Sequence, residues 1–284
     1  LQDITISLPH ITLAGLESGS PKDIPILAVH GWLDNAASFV PLIEHLSGRL
    51  PDLYVVAIDQ AGHGLSDHRP PGANYHQMDY VQDIFELIET KGWQKVHLLG
   101  HSMGGIISSL FAATYPDKVA SLVMMEAFGA LTKPADTSTA QLRESIESRH
   151  RLMHSDVRHP VSLDAAVKAR LKAGGMTEAG ARLLMQRNLT EEDGTVKWRT
   201  DRRLRSVSSL RLTDDQARAF VAGIKCPTLA MLGEDGYERT RTLVNTRREL
   251  VDDLKVVTLS GGHHLHLDNP ADVAAALQSF YQTL

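Results

Sequence analysis

The sequence predicts an α/β fold: a mostly parallel central sheet of about eight strands, helices on both faces, and an inserted helical cap. Short, nearly continuous apolar runs recur along the chain, as strands buried on both faces require. Helix-period segments alternate with them in βαβα order. One interval, residues 128–212, breaks the rhythm with amphipathic stretches and no strand-like run. Residues 1–127 and 213–284 are therefore expected to form the core domain, and 128–212 the cap.

Taken in order, residues 4–8 and 11–16 alternate apolar and polar positions around Pro9 and His10, which suits an antiparallel hairpin of two edge strands. Buried strands follow at 26–29, 54–58, 96–99, 122–125, 228–232 and 256–259. Between them, 36–46, 78–90, 103–115, 214–221, 240–250 and 271–281 repeat apolar residues at helical spacing. In the cap, Ser138 is placed to begin a helix with Leu142, Ile146 and Met153 on its apolar face. Ser162 begins one carrying Leu163, Val167 and Leu171, and Thr177 one carrying Leu183 and Leu184. Gly174-Gly175 and Glu191-Glu-Asp-Gly194 read as turns between these helices.

The chain has 284 residues, 43% apolar and 22% charged, a composition that excludes disorder over most of its length. Its formal net charge of -5 supplies no basic field for phosphates, so nucleic acid is not an expected partner. Cys226 is the only cysteine, which excludes an intrachain disulfide and favours a reducing cytoplasm. No export signal or membrane anchor is expected, because the most apolar later stretch, 119–131, is interrupted by Glu126 and too short to span a bilayer. The chain begins at Leu1 rather than Met, which leaves an upstream segment open.

Gly100-His101-Ser102-Met103-Gly104 stands between a predicted strand and a predicted helix. In that context G-x-S-x-G describes a strained turn that lifts the serine hydroxyl above the sheet, so Ser102 is the candidate nucleophile. A serine hydroxyl is nearly unreactive at neutral pH and needs a histidine base oriented by an acid. Three histidines, His263, His264 and His266, compete in the loop before the last helix.

The motifs His30-Gly31-Trp32, Asp59-Gln-Ala-Gly-His-Gly-Leu-Ser66, Gly100-His-Ser-Met-Gly104 and Gly262-His263 together resemble the α/β-hydrolase superfamily. Within it, His30-Gly-Trp-Leu-Asp-Asn-Ala-Ala-Ser-Phe39 and Met78-Asp-Tyr80 look like the serine hydrolase-like proteins. The resemblance implies His263 as the base, since the superfamily's histidine follows Gly and precedes a Pro, here Pro270, by seven residues. It implies Asp235 as the acid, one position early in a loop the family writes Gly-x-x-Asp. Glu126, after the 122–125 strand, and Glu234 are the alternatives. For the oxyanion, the backbone N–H of Met103 follows from the mechanism, and the resemblance adds that of Trp32. His30, His63, His264 and His266 are expected to be structural, and Asp34, Asp59 and Asp67 to fix loops.

His150 and His154, with His159 nearby, lack the glutamate of an H-E-x-x-H site and read as a polar helix face. Neither dinucleotide nor P-loop glycine patterns occur, so no cofactor and no metal are expected. The expected function is hydrolysis of a small-molecule carboxylic ester through an acyl-enzyme. Thioester, lactone, amide or carbon-carbon bond hydrolysis would use the same groups. The alternative from another class is a ligand-binding protein on a hydrolase scaffold. Met153, Met176 and Met185 either face the pocket, where their flexible thioethers would adapt to different acyl groups, or fill the cap's own core.

Overall fold

The computed structural model of the chain describes residues 1–21, 24–50 and 53–284. It opens with an antiparallel pair, β1 (Gln2–Ser7) and β2 (Thr12–Ser18). Then come β3 (Ile26–Val29), α1 (Val40–Ser47), β4 (Val55–Ile58), α2 (Gln77–Lys91), β5 (Val96–His101), α3 (Met103–Thr114) and β6 (Val119–Met125). The interruption holds α4 (Ser138–His154), α5 (Leu163–Lys172), α6 (Glu178–Asn188), β7 (Leu189–Glu192) and β8 (Thr195–Trp198). The alternation resumes with α7 (Asp214–Gly223), β9 (Thr228–Gly233), α8 (Glu238–Arg247), β10 (Leu254–Leu259), the short α9 (Leu265–Asp268) and α10 (Pro270–Tyr281).

Eight strands form one sheet in the order β1-β2-β4-β3-β5-β6-β9-β10, parallel from β4 to β10. The inner strands read as unbroken apolar runs because both faces are covered. In β3, Leu27 and Val29 enter one core, with α2, α3 and α7, while Ile26 and Ala28 enter the other, with α1 and α10. β4 divides its residues the same way, as do β6 and β9. Each Val, Leu, Ile or Met among them contributes about 1.5–3 kcal/mol when fully buried. The first two strands differ from expectation: only β1 is an edge, because β2 also pairs with β4.

Strand order also places the site. From β3 the chain moves outward to β4, then returns to lay β5 on the other side of β3. The loops leaving β3 and β5 diverge at their carboxyl ends, and such a switch point opens a crevice. Ser102 and Trp32 stand there.

The segment 128–212 is not all-helical, since β7 and β8 form a hairpin. Its turn is Asp193-Gly194, with φ of 51° and 72°, the left-handed pair that two-residue hairpins demand. Ser162 and Thr177 cap α5 and α6 as expected, accepting from Ala165 N and Gly180 N. Leu184, Met185 and Val167 pack with Leu267 of α9 in a separate cluster. Ser138 does not cap α4, and the apolar face expected there is reversed. Leu142, Ile146 and Met153 are 48%, 61% and 62% exposed, while Gln141, Ser145 and Ser148 are buried. The reason is backbone demand: the irregular stretch 206–209 needs hydrogen-bond partners. Ser145 Oγ donates to Val207 O at 2.7 Å, Val207 N to Ser148 Oγ at 3.2 Å, and Gln141 reaches Ser208 O.

Candidate active site

Ser102 sits between β5 and α3 with φ 50° and ψ -116°, a conformation a non-glycine residue rarely holds. Its N–H donates to Met125 O at 2.9 Å, tying the turn to the neighbouring strand. Close packing explains the flanking glycines: a Cβ on Gly104 would overlap the Val29 carbonyl, and one on Gly100 would lie 2.5 Å from Gly105 Cα.

His263 Nε2 lies 3.0 Å from Ser102 Oγ. The ring is held on several sides: its own carbonyl lies 2.8 Å from His101 Nε2, and the Tyr237 ring stacks on it at a centroid distance of 4.1 Å. His264 and His266 do not meet Ser102. The first has Nδ1 at 2.7 Å from Gly175 O and Nε2 at 3.2 Å from Asp34, and the second is enclosed in the core.

The carboxylate facing His263 Nδ1 is Glu126, at 3.4 Å, a length common before substrate draws such bonds tight. The expected Asp235 is elsewhere: its side chain is exposed, and its N–H is committed to Gly261 O at 2.9 Å. Glu234 is exposed as well. The short loop after β9 turns its amides, not a carboxylate, toward the histidine. Gly233 N donates to Glu126 Oε1 at 2.8 Å and Tyr237 N to Oε2 at 3.0 Å. Gly236 has no Cβ where one would overlap that carboxylate. Burial opposes the charge on Glu126, but His263 and the two amides outweigh it and lower the pKa. In sequence the available signal was an acid directly ending a buried strand; its distance to His263 was not visible.

Trp32 is half exposed, and its indole N–H donates to Leu204 O at 2.9 Å. The backbone N–H groups of Trp32 and Met103 have no acceptor among the described residues. Both residues line, with Ser102, a cleft of about 430 Å³ between α2, α3 and the 203–209 stretch. Met153, Met176 and Met185 are not in its lining. Met153 faces solvent, and the other two pack in the α5–α6 cluster.

The loop-holding residues are well occupied. Asp59 accepts from Ala36 N and Leu65 N and binds Arg187 at 2.8 Å, and Asp67 accepts from Thr12 N. His30 accepts from Gln60 N at 2.9 Å, and His63 from Leu33 N at 3.3 Å. His150 and His154 stack in solvent, and His159 accepts from Trp198 N. Among the described residues, the group with metal-ligand spacing is instead Asp34, His101 and His264. A guanidinium already serves it: Arg170 Nη2 lies 3.3 Å from both Asp34 Oδ1 and His264 Nε2.

Buried neutral histidines make this region sensitive to acid. Burial lowers His63 to about 3 and His101 to about 4, and it lowers His30 and His266 too. Below the unfolded value near 6.5 the unfolded chain binds protons that the folded chain refuses. Stability is thus full above about pH 6.5 and falls as pH drops toward 4, by up to about 1.4 kcal/mol per pH unit for each histidine. Urea midpoints measured from pH 7.5 to 5 should decline steeply below 6.5; a flat profile would contradict the burial of these rings.

A serine elbow at the carboxyl end of a central parallel strand, under a histidine from the last loop, defines the α/β-hydrolase class. A family model described as "alpha/beta hydrolase fold" matches residues 24–146. Over 99% of this chain and 88% of the relative, the sequence is 30% identical to a serine hydrolase-like protein of Danio rerio. It is also 30% identical to a 2-(acetamidomethylene)succinate hydrolase of Mesorhizobium japonicum, over 97% of this chain and 93% of that one. The solved structure of a hypothetical protein of Pseudomonas aeruginosa PAO1 superposes with a TM-score of 0.89 at 38% identity, covering 99% of this chain and all of that one. The chain belongs to the α/β-hydrolase superfamily. None of its described helices is long and apolar enough to cross a membrane.

Proposed function

We propose that the protein is a serine hydrolase that cleaves a small-molecule carboxylic ester through an acyl-enzyme, with Ser102, His263 and Glu126 as its triad. The observation that carries this reading is the 3.0 Å approach of His263 Nε2 to Ser102 Oγ, with Glu126 behind the ring. His263 takes the hydroxyl proton as Oγ attacks the ester carbonyl. The oxyanion that forms is met by the N–H groups of Met103 and Trp32. His263 then passes its proton to the departing alcohol. A water attacks the acyl carbon, gives its proton to the same ring, and the acid leaves as Ser102 is restored. Glu126 holds the tautomer that keeps Nε2 free to accept and stabilises the imidazolium.

A serine at the elbow argues against haloalkane and epoxide chemistry, which on this fold uses a carboxylate nucleophile. Thioesters, lactones and activated carbon-carbon bonds offer Ser102 the same electrophile, and the names of two relatives cover different substrates, 2-(acetamidomethylene)succinate and a diacylglycerol. Segment 128–212 acts as a lid in this reading, contributing the 203–209 wall and no triad member. Burial raises the Cys226 thiol to about 11, so it stays an inert thiol.

The test is a panel of 4-nitrophenyl esters and matched thioesters, with fluorophosphonate labelling followed by peptide mapping. Turnover and an adduct on Ser102 are expected. An adduct elsewhere, or folded protein that neither labels nor turns over, would leave only a binding protein on a hydrolase scaffold.

A further inference from the structure

The cleft beside Ser102 is lined by three arginines, Arg203, Arg205 and Arg211, and by no aspartate or glutamate. In a chain with a formal net charge of -5, that is a local reversal of sign. Arg203 is spoken for: its guanidinium lies 2.6 Å from Asp201 and donates to Pro70 O at 2.8 Å. Arg205 and Arg211 have no hydrogen-bonding or ionic partner among the described residues. Arg211 is also partly buried, and burial together with the nearby Arg239 lowers its pKa, so both its surroundings and its neighbour disfavour the charge it carries.

Arg211 stands where the cleft joins a second chamber of about 310 Å³, whose walls include Leu131, Leu210 and Leu212. The one acid among the described lining residues, Asp79, accepts from His76 N at 3.2 Å and makes no ion pair with Arg211. A neutral acyl chain entering this space would leave a desolvated guanidinium uncompensated. A carboxylate or phosphate would satisfy it with charge-assisted, two-pronged hydrogen bonds. His263 stands beside Ser102 but outside the cleft's lining, and the oxyanion donors Trp32 and Met103 stand within it. Because the His263 ring hands its proton to the leaving group, the cleft takes the acyl side.

We infer that Arg211, aided by Arg205, forms an anion subsite, and that the substrate's acyl group ends in a carboxylate or phosphate. This rests on the ester-hydrolase reading above and narrows its substrate class.

The test compares three 4-nitrophenyl esters of matched acyl length: hexanoate, hydrogen adipate, and the analogue ended in a phosphate. The wild-type protein should favour an anionic ester over hexanoate in kcat/KM by about 10- to 100-fold, the range of one charge-assisted pair. Whichever anion wins identifies the source. Arg211→Met should collapse that ratio toward one, and Arg211→Lys should restore part of it. Should Arg211→Met fail to fold, Ser209→Asp serves instead, since a carboxylate placed in the same lining should also erase the preference. Adipate alone should raise the melting temperature of the wild type more than that of Arg211→Lys if the carboxylate is the ligand. Equal or greater turnover of hexanoate by the wild type would overturn the inference while leaving the hydrolase reading intact. So would an anion preference unchanged in Arg211→Met or Ser209→Asp. Absence of turnover on all three, with no Ser102 adduct, defeats the hydrolase reading itself.

Discussion

Ser102→Ala is expected to lower kcat for an ester by on the order of 10⁶-fold, the loss seen when a serine protease loses its nucleophile. The variant keeps the Cβ and the backbone at φ 50°, so the fold is unchanged and only Oγ is lost from its place 3.0 Å from His263 Nε2. Fluorophosphonate labelling should vanish with the activity, while the circular dichroism spectrum stays that of the wild type. Stability supplies an internal control. A left-handed backbone costs a residue with a Cβ about 1–3 kcal/mol, and glycine carries no such penalty. Ser102→Gly should therefore be equally inactive yet melt higher than Ser102→Ala. Residual turnover within tenfold of wild type would show that another group attacks the substrate.

Glu126→Gln is expected to reduce kcat by about 10⁴-fold, as neutralising the triad acid does in a serine protease. The argument is one of donors and acceptors. Glu126 accepts from Gly233 N and Tyr237 N and faces His263 Nδ1, three nitrogen partners for two carboxylate oxygens. A glutamine offers one oxygen and one NH₂, so at least one partner meets a donor. If that partner is the ring, Nδ1 must accept, the proton moves to Nε2, and Ser102 loses its base. Asp235→Asn, an exposed side chain away from the ring, should stay within about threefold of wild type, as surface changes usually do. Steady-state kinetics on the two variants side by side decide the matter: the reverse ranking would return the acid to the loop after β9.

The acid shows why part of this site was legible and part was not. Ser102 announced itself through local chemistry, because only a strand, a glycine-flanked turn and a helix in sequence make such an elbow. His263 was singled out among three histidines by the family resemblance, through its place after Gly262 and before Pro270. The choice between Asp235 and Glu126 depended on how the loop after β9 runs past the end of β6, a matter of a few ångströms between segments about a hundred residues apart. That loop is short, and its amides point to Glu126.

The inserted segment carries the same lesson. Helical periodicity located α4 but reversed its buried face, because backbone groups of Val207 and Ser208 left without main-chain partners drew Gln141, Ser145 and Ser148 inward. Asp193-Gly194 carries a turn signal, which an expectation of helices alone places between two helices and the structure places between β7 and β8. Of the two places open to the methionines, the inserted segment's own core holds Met176 and Met185, while Met153 faces solvent and arginines line the cleft wall.

By itself, then, the sequence determined the βαβα core, the strand that carries Ser102, and the loop that carries His263. Each is written in near-neighbour pattern: apolar period, glycine placement and turn residues, which act within a few positions of one another. Only the tertiary structure decided the partner of His263, the face that α4 buries, and the arginines that share a cleft with Ser102. Those depend on which distant backbone groups and charges are left to be satisfied once the chain has closed, and no local period encodes that.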